Sequence, residues 1–406
     1  MYCRQIRIKS GQVRWECVSD GPPKANGSRN QITRRGKTMK EAKVKVLDEI
    51  KRQEHTQIDS KTAKTFSFES VASQWYDLYK LTGIKKGTLA KRRKEIRILN
   101  RHLGKFIIGN ITHDLYQKVI NQLFEHYEST TLQGIHSAGN MIFKFAKKRK
   151  WIIENPASEI VMPKKRKTID EIKQDSIEEK FLDHDELEEF LLAALNYGLK
   201  YDKERFYTLA FSGVRPGELC ALQKQDILFE TNEIDIVKTL YNENNNMREY
   251  ELIPPKTYKS VRTVAMERYI MDMLKKIILE NDKRKMKYRN KQITYFNETL
   301  EYHDADFVFS RLNGYPFTTI SLNNRMNRLL KKTKIKKPAT PHIFRHTHVS
   351  MLAEAGVDLA TIMKRVGHED AKTTMKIYTH VTNKMKKEAP VKISNLYGNI
   401  LEKVSL

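Results

Sequence analysis

Along the first fifty residues apolar and polar positions alternate. Gln5-Ile6-Arg7-Ile8-Lys9 and Val13-Arg14-Trp15-Glu16-Cys17-Val18 each keep a period of two, with Ser10-Gly11-Gln12 as a turn between them; this is the pattern of two half-buried strands in a hairpin. A third strand near Gln31-Ile32-Thr33 leads into a helix capped by Thr38 and ending at about Ile50. Three strands backed by one helix are therefore expected over residues 1 to 55. Polar residues from Glu54 to Lys64 read as a linker. From Phe66 the spacing becomes helical, with helices opening at Phe66 and Lys86 and others over about Thr112 to Tyr127 and Thr130 to Arg149, before Asn155-Pro156 stops the pattern. A second linker runs from Pro163 to Glu179. Beyond it the text predicts helices over Asp183 to Leu195 and Glu204 to Ser212, strands within Glu233 to Leu240 and Lys259 to Ala265, and helices through the C-terminal third. The fold class expected is multidomain: a small three-stranded sheet plus helix, an all-α domain, and a mixed, mainly-α (α+β) domain.

Charge narrows the class of partner. The 406 residues carry a formal net charge of +26, so polyanions are the expected partners. The many acids among the bases point to folded domains with basic faces rather than a disordered tail. Residues 1 to 55 hold fourteen Lys and Arg against six Asp and Glu, and a sheet laid in a DNA groove would use that surplus. The clusters Lys91-Arg92-Arg93-Lys94 and Lys147-Lys148-Arg149-Lys150 lie on or beside helices, where they can meet a duplex backbone or simply be solvated. No apolar run approaches membrane-spanning length and the chain opens on polar residues, so a cytoplasmic protein with no membrane partner is expected. Cys3, Cys17 and Cys220 are odd in number and lack metal-ligand spacing; inert thiols are expected, with neither a disulfide framework nor a zinc site. Gly134 and Gly139 have phosphate-loop spacing, but no Lys-Ser/Thr follows and no strand precedes, which argues against nucleotide binding.

Two stretches carry candidate chemistry. In Gly213-Val214-Arg215-Pro216-Gly217-Glu218-Leu219, Pro216 forces Arg215 into an extended conformation and starts a helix, placing a guanidinium where phosphate oxygens can take two parallel hydrogen bonds, with Glu218 holding the local geometry. Near the C-terminus, Thr340 reads as a helix cap and Pro341 as the first helical residue, so that His342 and Arg345 share a face. Gly367-His368 follows, and then Tyr378 within Thr373-Thr374-Met375-Lys376-Ile377-Tyr378-Thr379-His380. Arginine and histidine neutralise a phosphodiester, and a phenolic oxygen can attack phosphorus. A metal site on His342, His346 and His348 is the competing reading. It lacks a glutamate between the first two histidines and any acidic or thiolate cluster, so His346 and His348 are expected to be structural.

In this order, these boxes resemble those of the tyrosine recombinases of the phage and conjugative-element integrase type. Arg215 is similar to the family's first arginine, His342-Ile343-Phe344-Arg345 to its His-x-x-Arg box, Val366-Gly367-His368 to its third box with Val in place of the usual Leu, and Tyr378 to its nucleophile. The segment Pro255-Lys256-Thr257-Tyr258-Lys259-Ser260-Val261-Arg262-Thr263 resembles the hairpin that carries the catalytic lysine, with Lys256 preferred and Lys259 the alternative. The resemblance implies an arm-site domain over 1 to 55, a helical (SAM-like) core-binding domain over 66 to 162, a catalytic domain over 179 to 390, and a tail over 391 to 406 whose apolar stripe, Ile393, Leu396, Tyr397, Ile400, Leu401 and Val404, contacts a neighbouring protomer. It further implies integration and excision of a mobile element or prophage through a 3′-phosphotyrosyl intermediate, with no cofactor and no metal. The implied partners are double-stranded DNA at core and arm-type sites, a tetramer of this chain in the synaptic complex, and an accessory DNA-bending or excision factor. A type IB topoisomerase-like enzyme and a catalytically inactive architectural DNA-binding protein stay open as alternatives.

Overall fold

The computed structural model describes residues 1–7, 12–22, 28–56, 65–164, 177–243, 246–255, 260–289, 291–295, 298–367, 372, 374–383 and 385. It divides into two compact units, Met1–Arg166 and Lys167–Leu406.

In the first unit the alternating segments form an antiparallel meander of β1 (Tyr2–Arg7), β2 (Val13–Asp20) and β3 (Gln31–Gly36), followed by α1 (Met39–Thr56). Thr38 Oγ1 accepts the Glu41 N–H at 3.2 Å, as its spacing predicts. The helix runs past Ile50 to Thr56, so Glu54, His55 and Thr56 are helical where linker was expected; adding residues to an existing helix is far easier than starting one. One sheet face packs Cys17 and Ile32 on Ala42 and Val46. The opposite face carries a row set by register, Arg4 opposite Glu16 opposite Arg35. Both guanidiniums close on the one carboxylate, at 2.8 and 2.9 Å, and bury it. The expectation of inert thiols fails here. Cys3 and Cys17 face each other across β1 and β2 with Cα atoms 4.1 Å apart and form a disulfide. Their residue count concealed a pairing that only strand register creates. Cys220 is the free, buried thiol.

A second core in this unit is built by α2 (Phe68–Lys80), α3 (Lys86–Leu103), α4 (His113–Phe124) and α5 (Ser129–Lys148). Ser67 and Thr112 cap α2 and α4 through their hydroxyls. The two glycines with loop-like spacing lie inside α5, where a Cβ on Gly134 would come within 2.3 Å of Glu95 Oε1 and one on Gly139 within 2.3 Å of the Tyr116 hydroxyl. They allow close helix packing. Of the basic cluster on α3, Arg92 turns inward to Glu95 and the Gly134 carbonyl, while Lys91 and Lys94 are exposed.

The second unit opens with α6 (His184–Tyr197), capped by Asp183 and Glu186 in a reciprocal box. It continues through α7 (Asp202–Ser212) and α8 (Pro216–Ala221) to an antiparallel sheet of β4 (Ile227–Leu228), β5 (Glu233–Ile236) and β8 (Arg262–Ala265), with β6 (Thr239–Tyr241) and β7 (Glu251–Ile253) paired separately. After α9 (Arg268–Tyr288), a hairpin of β9 (Gln292–Tyr295) and β10 (Glu298–Glu301) interrupts the expected helical run. The α10 (Thr319–Leu330), α11 (Ile343–Glu354) and α12 (Leu359–Val366) helices follow, and then a helix over residues 374–383. Thr340 is not the cap of α11: Ile343 N–H bonds the Thr340 carbonyl in a turn, and the helix starts two residues later than expected, with His342 at the cap position. Two clusters make this core, one joining α6–α11 to the sheet and one joining α11, α12 and the 374–383 helix.

Candidate active site

The first arginine is aimed by a reversal of the chain. Gly213 ends α7 at φ 64°, a conformation open to glycine at little strain, and a Cβ there would meet His348 Cδ2 at 2.6 Å. Arg215 is then extended, at ψ 149°, and Pro216 opens α8. Glu218 holds this arginine twice: Oε2 accepts its backbone N–H at 2.8 Å and Oε1 accepts Nη1 at 2.7 Å. The Arg215 side chain remains 34% exposed while Glu218 is 2% exposed. The sequence-based placement of both residues holds.

Arg345 sits in the first turn of α11 and is fully buried. Its Nη1 donates to the Gly213 carbonyl at 2.9 Å and its Nη2 to the Val366 carbonyl. Arg215 Nη2 donates to the next carbonyl, Gly367, at 3.0 Å, and Arg262 Nε to the preceding one, Arg365, at 2.8 Å. Three successive carbonyls at the C-terminal end of α12 thus each hold a different arginine. Such an end has unsatisfied acceptors and partial negative charge, which suits cations. Gly367, at φ 65°, continues directly into the Gly-His box. Arg262 also reaches Glu218 Oε2 through Nη2 at 2.9 Å, so that one carboxylate serves two guanidiniums. Arg262 lies in the segment that resembles the lysine hairpin, and nothing local in the sequence marks its guanidinium as the partner of Glu218, 44 positions away.

Charge in this cluster is unbalanced. Among the described residues, Arg215, Arg262 and Arg345 face one acid, Glu218, and burial together with Arg215 brings the Arg345 guanidinium down to about 8. Burial alone would raise the Glu218 carboxyl, but its bonds to Arg262 and the charges of Arg262 and Arg215 outweigh this and hold it below the usual range. Such a surplus of guanidinium suits an anion, and phosphate fits it. His342 lies at the rim, solvent-accessible, with its imidazole lowered by the surrounding protein mass and by Arg345 and Arg215, and so neutral at neutral pH. His346 packs edge-on to it at 4.9 Å and is pushed by burial down to about 4. His348 is spent structurally. Its Nδ1 donates to the Ala210 carbonyl and its Nε2 accepts from Arg365 Nε, both at 3.0 Å, and burial brings it to about 3. The three histidines therefore do not converge on one point.

Tyr378 is carried by the 374–383 helix. Ile377 and Val381 beside it are buried with Val349 and Ala353 of α11 and Ile362 and Val366 of α12, and Tyr378 packs half-buried against the same cluster. The structure thus gathers Arg215, Glu218, His342 and Arg345 directly, and ties Tyr378 to the same two helices by packing. Lys256, Lys259 and His368 lie outside the described residues, as does the tail over 391 to 406.

Comparison with known proteins gives this geometry a family. The family model described as phage integrase matches residues 180–385. The integrase of Staphylococcus phage L54a is 31% identical over 349 residues, covering 83% of this chain and 95% of its own length. The ICEBs1 integrase of Bacillus subtilis is 26% identical over 303 residues, 74% of this chain and 76% of that one. Among solved structures, the Tn1549 transposon integrase in complex with a circular intermediate DNA superposes with a TM-score of 0.58 at 23% identity, over 76% of this chain and 94% of that one. A lambda integrase dimer bound to a COC′ core site gives 0.55 at 14% identity, over 92% and 94%. The two structures share the fold. With the family match and the L54a relative, they establish that this chain belongs to the phage integrase family, the tyrosine recombinases that exchange DNA strands at specific sites.

Proposed function

We propose that Tyr378 is the nucleophile of a site-specific integration and excision reaction on a mobile element. Its phenolic oxygen attacks the scissile phosphorus as the phenolic proton leaves. The bond from phosphorus to the 5′-oxygen breaks, and a 3′-phosphotyrosyl ester and a free 5′-hydroxyl result. The 5′-hydroxyl of the partner duplex then attacks that ester, so the bond is exchanged without net loss. Arg215 and Arg345 meet the charge that builds on the non-bridging oxygens. His342, neutral at working pH, accepts or relays the tyrosine proton together with His368, and Lys256, or else Lys259, protonates the leaving 5′-oxygen. Glu218 supports Arg215. The observation that carries this reading is the excess of guanidinium over carboxylate beside a tyrosine helix packed on α11 and α12.

The remaining parts follow the same reading. The Arg4, Arg14 and Arg35 face of the first sheet binds arm-type sites, residues 66 to 162 grip the core site, residues 179 to 390 cut, and the tail over 391 to 406 contacts a neighbour in a tetrameric synaptic complex. An accessory DNA-bending or excision factor sets direction, and the reaction takes place in the cytoplasm. The test is Tyr378→Phe on a nicked trapping substrate. Specific DNA binding is expected to persist with no covalent adduct. An adduct formed by the variant sinks the assignment.

A further inference from the structure

We infer that Arg262 is a positioning residue for strand cleavage: it sets the aim of Arg215 through the carboxylate they share. The inference rests on Arg215 being a phosphate clamp. Arg262 is not itself a clamp. Its side chain is 5% exposed, and its nitrogens are spent inside the protein, Nε on the Arg365 carbonyl at 2.8 Å, Nη1 on the Ser260 carbonyl at 3.0 Å and Nη2 on Glu218 Oε2 at 2.9 Å.

What these bonds do is divide Glu218. Oε2 takes the short bonds from Arg262 Nη2 at 2.9 Å and the Arg215 backbone N–H at 2.8 Å, while Oε1 is held by the Arg215 guanidinium at 2.7 Å and receives only a long bond from Arg262 Nη1 at 3.4 Å. The other end of that guanidinium is fixed by Gly367, whose position Arg262 also shapes. A Cβ on Gly367 would lie 3.1 Å from Arg262 Cδ, so the arginine stem packs directly against this left-handed residue. Without Arg262 the carboxylate is free to turn both oxygens onto Arg215. A two-pronged pair with carboxylate occupies the edge of the guanidinium that would grip a non-bridging oxygen. The end of α12 also loses one of its three cationic donors. Both effects reach the phosphate through the clamping guanidiniums held at this end, Arg215 above all, so they should track the charge on that phosphate.

The experiment measures single-turnover cleavage by Arg262→Met, Arg262→Lys and Arg215→Ala on a core site with either a normal scissile phosphodiester or a methylphosphonate, each diastereomer separately. The methyl group replaces one non-bridging oxygen and removes the charge that the clamp meets. Arg215→Ala should lose far more on the phosphodiester than on one methylphosphonate diastereomer. Arg262→Met should show the same pattern at smaller amplitude, about 10–100-fold on the phosphodiester, by analogy with the loss of a hydrogen-bond partner behind a metal ligand, and only a few-fold on the neutral substrate. Arg262→Lys keeps the charge but cannot span Glu218 and two carbonyls, so it should lie between Met and wild type. Core-site binding and the melting transition, measured on the same samples, report folding. Equal losses on both substrates, or none on either, overturn the role of Arg262 while Arg215 keeps its own. If Arg215→Ala also loses equally on both, the clamp reading falls and this inference falls with it.

Discussion

Replacing Glu218 by Gln removes one charge without changing shape, and the structure says how much this should matter. Glu218 is 2% exposed and is the carboxylate to which the Arg262 guanidinium, itself 5% exposed, is bonded. Gln keeps one acceptor oxygen but turns an NH2 toward N–H donors. Breaking a buried pair by removing one partner costs about 3–5 kcal/mol, because the remaining charge stays desolvated. Arg215 adds little to this, since a third of its side chain already faces water. At about 2–4 °C per kcal/mol for a unit of this size, the unit Lys167–Leu406 should melt roughly 6–20 °C lower. The double variant Glu218→Gln with Arg262→Met removes both buried charges, and replacing a buried ion pair by neutral groups of similar volume is often close to neutral. It should therefore melt higher than Glu218→Gln alone. Calorimetry on the full chain at neutral pH reads both values. A Glu218→Gln shift within about 1 °C, or a double variant that loses the sum of the two single losses, refutes the argument that uncompensated charge sets the penalty.

Two further outcomes follow from the rest of the molecule. His348 is neutral in the fold and is pushed from 6.5 to about 3, so the unfolded chain binds more protons between those values. Its contribution is therefore full above about pH 6.5 and is lost as pH falls toward 3. Denaturant titrations at stepped pH should show that slope, and His348→Gln should flatten it; an unchanged slope would show that the histidine is not held neutral. For the first module, mass spectrometry of unreduced protein should find Cys3 joined to Cys17, and reduction should lower that module's stability by about 3 kcal/mol for a loop of this length. Free alkylation of both thiols in air-equilibrated native protein would contradict the pairing, with Cys220, buried and pushed up to about 12, as the unreactive control.

Much of this protein can be read from local order in the chain. The alternation through Gln5–Arg7 and Val13–Val18 became paired strands, Asp183 and Glu186 became a reciprocal cap, and Pro216 after Arg215 became an extended turn into a helix. Each depends on neighbours within a few residues, where backbone sterics and side-chain period decide the outcome. The misses are of another kind. The β9–β10 hairpin falls in a region that reads as helical because its alternation is short and follows directly on a long run of helix formers. The start of α11 moved from Pro341 to Ile343 because a turn at Thr340 intervened. The Cys3–Cys17 bond depends on register across two strands.

Residue type and local order are enough to mark Arg215, Glu218, His342, Arg345 and Tyr378 as candidates for catalysis. How they are held depends on contacts between segments far apart in the chain. Arg345, the most deeply buried of them, is fixed by carbonyls 132 and 21 positions away. Arg262 is joined to Glu218 over 44 positions, and Arg215 to Gly367 over 152. A main-chain carbonyl is present at every residue, so no residue type announces that it will be the acceptor for an arginine. That choice is made by the packing of α7, α11 and α12, which brings the left-handed end at Gly213 to Arg345 and the one at Gly367 to Arg215.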